Sequence, residues 1–112
     1  GIVGGHNLAA YNASKGGVRL LTKSVALHCA REGYGIRCNS VHPAFVETPM
    51  VERLVAASSD TDRARRSMAR QIPLGRIAAP DEVARMILYL ISDDSSFVTG
   101  AEMVIDGGVT AQ

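Results

Sequence analysis

The sequence predicts an α/β fold built around a parallel sheet, and three observations support this. First, a long helical pattern is followed by a short apolar segment. Second, a polar stretch leads to another helical pattern. Third, a further short apolar segment comes near the end of the chain. A strand, a helix and a second strand in this order are typical of a parallel crossover unit. Since two strands do not make a stable parallel sheet, which needs both faces covered, we expect further strands from elsewhere in the protein.

The first half of the chain is predicted to contain a loop, one long helix and one strand. Residues 1–10 are rich in glycine, and apolar residues then recur at helical spacing from about Ala9 to Glu32. Glycines at 33 and 35 end this helix. The segment 36–42 lies between Gly35 and Pro43, which predicts a strand followed by a loop to about Thr48.

The second half is predicted to contain three helices and a final strand. Apolar residues predict a short helix after residue 49, and a second short helix is expected over 63–71. The next helix is expected to begin near Pro80 and run to Ile91, with apolar residues around nearly its whole circumference, which predicts burial on more than one side. Residues 102–106 form the predicted last strand.

Composition narrows the class of protein. The chain has 112 residues, 46% of them hydrophobic, and a net charge of +1, so we expect one partial domain over 1–112 and no nucleic-acid partner. No run of residues predicts a membrane span or a signal peptide. Cys29 and Cys38 are predicted to be reduced thiols, as in a cytoplasmic protein, and the histidines and cysteines lack metal-ligand spacing. The first residue is not methionine, which indicates a fragment.

Tyr11 and Lys15 are the most informative residues. They stand four positions apart at the start of the long helix, so their side chains share one face. A nearby ammonium favours the ionised form of a phenol. The pair therefore predicts an acid/base device, and the small residues after the tyrosine, Gly16 and Gly17 among them, predict a close approach by a ligand or another backbone.

Four segments resemble the short-chain dehydrogenase/reductase family. They are Tyr11–Val18, which is similar to the active-site segment, 35–43, similar to the sixth strand, Pro43–Met50, similar to the nicotinamide loop, and 95–108, similar to the last strand and its approach. The resemblance covers essentially the whole chain and implies the carboxyl-terminal half of a doubly wound, Rossmann-type parallel sheet. It also implies that the nucleotide-binding half and the catalytic serine lie upstream of Gly1.

The resemblance implies a role for five residues. Tyr11 would be the general acid/base and Lys15 its partner, and both would also contact NAD or NADP. Val46, through a backbone group, and Thr48, through its hydroxyl, would hold the nicotinamide carboxamide, and Pro43 would be a cofactor-binding residue of the same loop. Thr48 has a second interpretation as a helix N-cap before Pro49, and both roles can hold together. Ala44 departs from the glycine usual in this loop.

Substrate contacts are predicted less directly. His6 lies in the loop before Tyr11, and Phe45 and Met50 lie within the segment that is similar to the nicotinamide loop. Met50 belongs to an apolar group that would suit either a flexible lid or an ordinary hydrophobic cluster. Four arginines over 63–70 would be either a solvated helix face or a docking surface for an acidic carrier.

These inferences lead to a function with two alternatives. We expect an NAD(P)-dependent oxidoreductase that interconverts a small secondary alcohol and a ketone, of the hydroxysteroid or cyclic-alcohol type. The first alternative is a 3-oxoacyl-(acyl-carrier-protein) reductase, with residues 63–70 as the docking surface. The second is a non-catalytic assembly module, since members of the family form tetramers, and a homotetramer or homodimer is expected in either case. Because the serine is missing, the chain by itself is expected to be inactive.

Overall fold

The computed structural model describes residues 9–112. It contains four α-helices, α1 (Ala9–Glu32), α2 (Pro49–Ala56), α3 (Thr61–Arg70) and α4 (Pro80–Ile91), and two strands, β1 (Ser40–Pro43) and β2 (Glu102–Ile105). The chain divides into two compact units. The first unit holds the described residues up to His42 together with Ile87–Val104, and the second holds Pro43–Met86 and Ile105–Gln112.

Helix α1 of the first unit spans the range predicted from its periodicity. It ends at Gly33, whose φ of 69° is a left-handed conformation that suits glycine. The N–H of Gly33 donates to the Ala30 carbonyl and that of Tyr34 to the Cys29 carbonyl. These two bonds form a Schellman cap, which satisfies the last carbonyls of the helix.

The two strands pair in parallel, as the crossover order predicts. Ser40 N–H donates to the Ala101 carbonyl in the first unit, and Ala44 N–H donates to the Ile105 carbonyl in the second. The constant offset between partners defines a parallel register. Among residues 9–112 the sheet has these two strands alone.

The prediction of a strand over 36–42 was wrong in its first half, where side-chain hydrogen bonds interrupt the strand ladder and one main-chain bond, from the Gly100 N–H to the Cys38 carbonyl, remains. Asn39 accepts a hydrogen bond from the Ala101 N–H through Oδ1 and donates to the Val98 carbonyl through Nδ2. Cys38 N–H donates to the Thr99 hydroxyl. An asparagine that bonds the neighbouring backbone substitutes for sheet pairing, so regular structure begins only at Ser40.

Two short capped helices form much of the second unit. Thr48 caps α2 and Asp60 caps α3, each with a side-chain oxygen that accepts a main-chain N–H of the first turn. The strand β2 ends one residue earlier than predicted and α3 begins two residues earlier, the latter because Asp60 is the cap. Sequence periodicity does not resolve an element's end to that precision.

Helix α4 has the predicted bounds but not the predicted burial. Leu90 is its one buried residue, whereas Ile87, Leu88 and Ile91 are exposed. The prediction of burial on several sides was therefore wrong for the described chain. An all-round apolar pattern reports how much apolar surface a helix carries, and it does not report whether neighbouring elements cover that surface.

Candidate functional site

Tyr11 and Lys15 meet on the first turns of α1, as their spacing predicts. The Lys15 ammonium lies 5.3 Å from the centroid of the Tyr11 ring, within the range of a cation–π contact. The tyrosine is 55% exposed, so its phenol is accessible. The structure thus brings a phenol and a cation together on an accessible helix face.

Gly16 and Gly17 do not meet the close neighbour predicted for them. A Cβ atom at either position would find no atom within 4 Å among the described residues, apart from the helix's own backbone. No backbone among residues 9–112 makes the predicted close approach, and the approach of a ligand stays a prediction. These glycines leave the surface beside Lys15 open.

The next turns of α1 are fixed to β2 by an ion-pair cluster in the first unit. Arg19 Nε lies 2.6 Å from Glu102 Oε1, and Lys23 Nζ lies 3.3 Å from the same oxygen. Lys23 also donates to the Gly100 carbonyl at 3.2 Å. The hydrogen bond from Arg19 holds the pKa of Glu102 below its ordinary value. The helix that carries Tyr11 is therefore held to the sheet by charged groups a few turns along.

His42 is a structural histidine of the first unit. Its Nε2 lies 2.8 Å from the Ser40 hydroxyl, which is buried. Burial lowers the pKa of His42 and favours the neutral ring. His28 forms an edge-to-face contact with Tyr34, with ring centroids 5.8 Å apart. Both histidines thus contact other protein side chains.

The loop after β1 is anchored in the second unit by one parallel bridge. Ala78 N–H donates to the Phe45 carbonyl at 3.1 Å, and Glu47 N–H donates to the Ala78 carbonyl at 2.9 Å. In such a bridge the central residue, Val46, directs its own N–H and C=O to the opposite side. Neither group has a main-chain partner within residues 9–112.

This loop fits a carboxamide group. A primary carboxamide has two N–H donors and a carbonyl acceptor, so it needs both an acceptor and a donor from the protein. Val46 offers one of each on the same side of the loop. Thr48 Oγ1 accepts the Val51 N–H at 3.4 Å as the helix cap, and its hydroxyl hydrogen can still donate to a ligand. The N-cap role predicted for Thr48 is confirmed, and it is compatible with ligand contact.

Glu47 has an ionic partner that no spacing rule predicts. Its Oε1 accepts a hydrogen bond from Arg65 Nη1 of α3, and the two side chains are 36% and 38% exposed. The sequence pattern predicts that Arg65 belongs to a basic patch with the other arginines over 63–70. The contact joins residues 18 positions apart, so it depends on how α2 and α3 fold back. The sequence signal for this ion pair is limited to the negative charge of Glu47 in the loop after β1.

The predicted substrate residues have different surroundings. Phe45 lines a mostly apolar depression of the second unit with Ile72, Leu74 and Ile105. Met50 is 59% exposed on α2. His6 lies outside the described residues.

The apolar group that follows Met50 divides between core and surface. Val51 and Val55 are buried, whereas Met50 and Leu54 face outward. One face of α2 thus belongs to a hydrophobic cluster, as one interpretation predicted, and the lid stays a prediction for the exposed face.

Cys29 and Cys38 are both free thiols, as predicted, and Cys29 is buried. Within residues 9–112 no group of three metal-ligating side chains comes together. None of the helices over the same range has the length and apolar character needed to cross a membrane.

Comparison with known proteins identifies the family. Residues 1–110 match the family model described as enoyl-(acyl carrier protein) reductase. The chain is 38% identical to a short chain dehydrogenase family protein from Francisella tularensis, with a TM-score of 0.89 over 99% of this chain and 47% of that one. The chain belongs to the short-chain dehydrogenase/reductase family, and the α/β fold predicted from the sequence is confirmed.

Three curated relatives show what kinds of enzyme are similar. The chain is 47% identical to an NADP-dependent (R)-specific alcohol dehydrogenase of Lentilactobacillus kefiri, over all of this chain and 42% of the relative. It is 46% identical to a cyclopentanol dehydrogenase of a Comamonas species, over 99% of this chain and 42% of that enzyme. It is 47% identical to a 3-oxoacyl-(acyl-carrier-protein) reductase of Thermotoga maritima, over 97% of this chain and 41% of that enzyme. The chain thus spans about two-fifths of the length of these relatives.

Proposed function

We propose that the whole protein is an NAD(P)-dependent oxidoreductase that interconverts a secondary alcohol and a ketone. The observation that carries the proposal is the accessible Tyr11 phenol with the Lys15 ammonium 5.3 Å from its ring, in a chain of this family. A phenol within hydrogen-bond reach of a carbonyl oxygen can give it a proton, and the same group can take a proton from an alcohol.

Each proposed site residue has a separate task. Tyr11 holds the proton that moves to or from the substrate oxygen. Lys15, whose ammonium lies 5.3 Å from the centroid of the Tyr11 ring, donates hydrogen bonds to the ribose hydroxyls of the dinucleotide. Val46 binds the carboxamide through its main-chain N–H and C=O, and Thr48 binds it through its hydroxyl hydrogen. Pro43 begins the same loop. The dinucleotide, when bound, supplies or accepts the hydride.

We place residues 1–112 in one domain, as its substrate-side part. The name of the Lentilactobacillus relative supports NADP as the dinucleotide, and NAD is the alternative. The two free cysteines support a cytoplasmic location.

Cyclic secondary alcohols are the proposed substrates, supported by the similarity to a cyclopentanol dehydrogenase. Hydroxysteroids are the larger members of the same chemical class and come second. His6, Phe45 and Met50 are the proposed substrate contacts. Phe45 in its apolar depression and the exposed Met50 side chain both suit a hydrocarbon ring.

A specific observation favours a second substrate class, 3-oxoacyl groups on a carrier protein. Arg63, Arg66 and Arg70 are exposed on α3, and positions three and seven apart lie on one helix face. Such a basic stripe suits an acidic carrier. The similarity to the Thermotoga reductase also supports it. Competition between cyclopentanone and a 3-oxoacyl thioester for the complete protein separates the two classes.

A homodimer or homotetramer is the proposed assembly. Apolar side chains on two helices are exposed in this chain and are suited to burial against other protein surfaces: Val18, Leu20, Leu21 and Leu27 on α1, and Ile87, Leu88 and Ile91 on α4. Light scattering of the complete protein measures its mass directly. Tyr11→Phe should leave the measured mass unchanged, because the phenolic hydroxyl has no proposed role in assembly. This result is expected both for an enzyme and for a non-catalytic assembly module.

The decisive test of the reaction is Tyr11→Phe in the complete protein. Loss of the phenolic proton should lower kcat for cyclopentanol oxidation by about 10²–10⁴-fold, the usual contribution of a positioned acid/base group. Tyr34→Phe is the matched control, because the Tyr34 side chain is exposed to a similar extent and its ring contacts the His28 ring, while its main-chain bond to Cys29 does not involve the phenol. Turnover that survives Tyr11→Phe would remove the proposed role of this tyrosine.

A further inference from the structure

The four arginines of α3 do not form one surface. Arg63, Arg66 and Arg70 share an exposed face, while Arg65 lies about 200° around the helix from Arg63 at about 100° per residue. Arg65 is half-buried, as are Met68 and Ala69 on the same side of the helix. It therefore belongs to the face of α3 that packs inward within the second unit.

Arg65 is paired with the residue at the centre of the proposed carboxamide site. Its Nη1 donates to Oε1 of Glu47, which stands between Val46 and Thr48 in the chain. The main chain of Glu47 is fixed separately, by its N–H bond to the Ala78 carbonyl at 2.9 Å. The loop thus has two anchors in the second unit, one through its backbone and one through this ion pair.

The ion pair also closes a segment of chain. The contact joins residues 18 positions apart, and helix α2, with Met50 and Leu54 exposed, lies wholly between them. A bond between the two ends of such a segment restricts its freedom. A shift of α3 would therefore be transmitted to the residue that separates Val46 from Thr48.

We infer that Arg65 is a positioning residue, which fixes the Val46–Thr48 loop for dinucleotide binding by holding Glu47. This inference rests on the proposed function. Arg65 touches neither substrate nor dinucleotide in this role and acts through the carboxylate of Glu47. Loss of the pair should weaken dinucleotide binding and leave the proton chemistry of Tyr11 intact.

The test uses the complete protein and the variants Arg65→Ala and Glu47→Gln, with Arg53→Ala, at an exposed arginine of α2, as the control. Titration with NADPH and NADH should show a dissociation constant about two- to fivefold higher for each of the first two, which is the range for a partly exposed ion pair. The double variant should bind the dinucleotides no more weakly than either single variant, because each substitution removes the same ion pair. The value of kcat at saturating dinucleotide should change less than twofold, and Arg53→Ala should bind both dinucleotides as the unmodified protein does.

Two further measurements separate positioning from plain stability. Hydrogen exchange should quicken at the Glu47 amide in Arg65→Ala, and the exchanged pair Glu47→Arg with Arg65→Glu should restore much of the affinity. The inference is overturned if Arg65→Ala binds NADPH and NADH like Arg53→Ala, or if it lowers thermal stability without changing either dissociation constant. Unmodified protein that binds neither dinucleotide would refute the proposed function itself, and the positioning role with it.

Discussion

Replacing Gly107 by alanine adds one methyl group at a position where both the backbone and a buried neighbour oppose it. Gly107 has a φ of 61°, a left-handed conformation, and its carbonyl accepts the Leu74 N–H. A Cβ placed on it would lie 2.5 Å from Ile72 Cγ2. Ile72 is only 4% exposed, so its side chain has little room to move away.

The expected cost is the sum of two effects. A left-handed conformation costs a residue with a Cβ about 1–2 kcal/mol. Extra volume in a packed core costs about 1–3 kcal/mol more. Gly107→Ala should therefore lower the free energy of unfolding by about 2–5 kcal/mol. Gly75→Ala is the matched control: its φ of 77° gives the same backbone penalty, but nothing lies within 4 Å of the new methyl group.

Urea unfolding of the complete protein measures both changes, provided that the slope of the transition stays constant. Gly107→Ala should shift the midpoint clearly further than Gly75→Ala. In an Ile72→Ala background, which removes the Cγ2 atom, the added cost of Gly107→Ala should fall to that of Gly75→Ala. Equal midpoints for the two single variants would refute the reasoning, since the steric contact with Ile72 would then have no energetic consequence.

The remaining predictions concern charged groups. The hydrogen bond from Arg76 lowers the pKa of Glu82 from 4.5 to about 2, so its stabilising effect is present above about pH 4.5 and is lost as pH falls toward 2. Glu82→Gln should flatten the acid limb of a stability–pH curve in that window, and an unchanged limb would contradict this. Arg37 donates three hydrogen bonds to main-chain carbonyls at the end of α4 and after it. Arg37→Ala should therefore lower the free energy of unfolding by about 1–3 kcal/mol, measured by thermal unfolding. Arg31→Ala, at the exposed end of α1, should change it by much less.

Short-range patterns in the sequence determined the helices and strands. The bounds of α1 and α4 follow from apolar periodicity with glycine or proline at an end, and the parallel pairing of β1 with β2 follows from the crossover order. The same is true of the Tyr11–Lys15 pair, because one turn of helix joins residues four apart. The cap at Thr48 needs only its neighbours Pro49 and Val51. Each of these depends on contacts within a few residues, which the sequence states directly.

Contacts between distant residues required the folded chain. The sequence alone determined which helices and strands form and which side chains share a helical turn. Only the tertiary structure decided that Arg65 leaves its neighbouring arginines to pair with Glu47, that Asn39 replaces the first half of a predicted strand, and that Leu90 alone of α4 is buried. The physical reason is that periodicity encodes which face a residue occupies, whereas the partner that this face meets depends on how loops bring separate elements together.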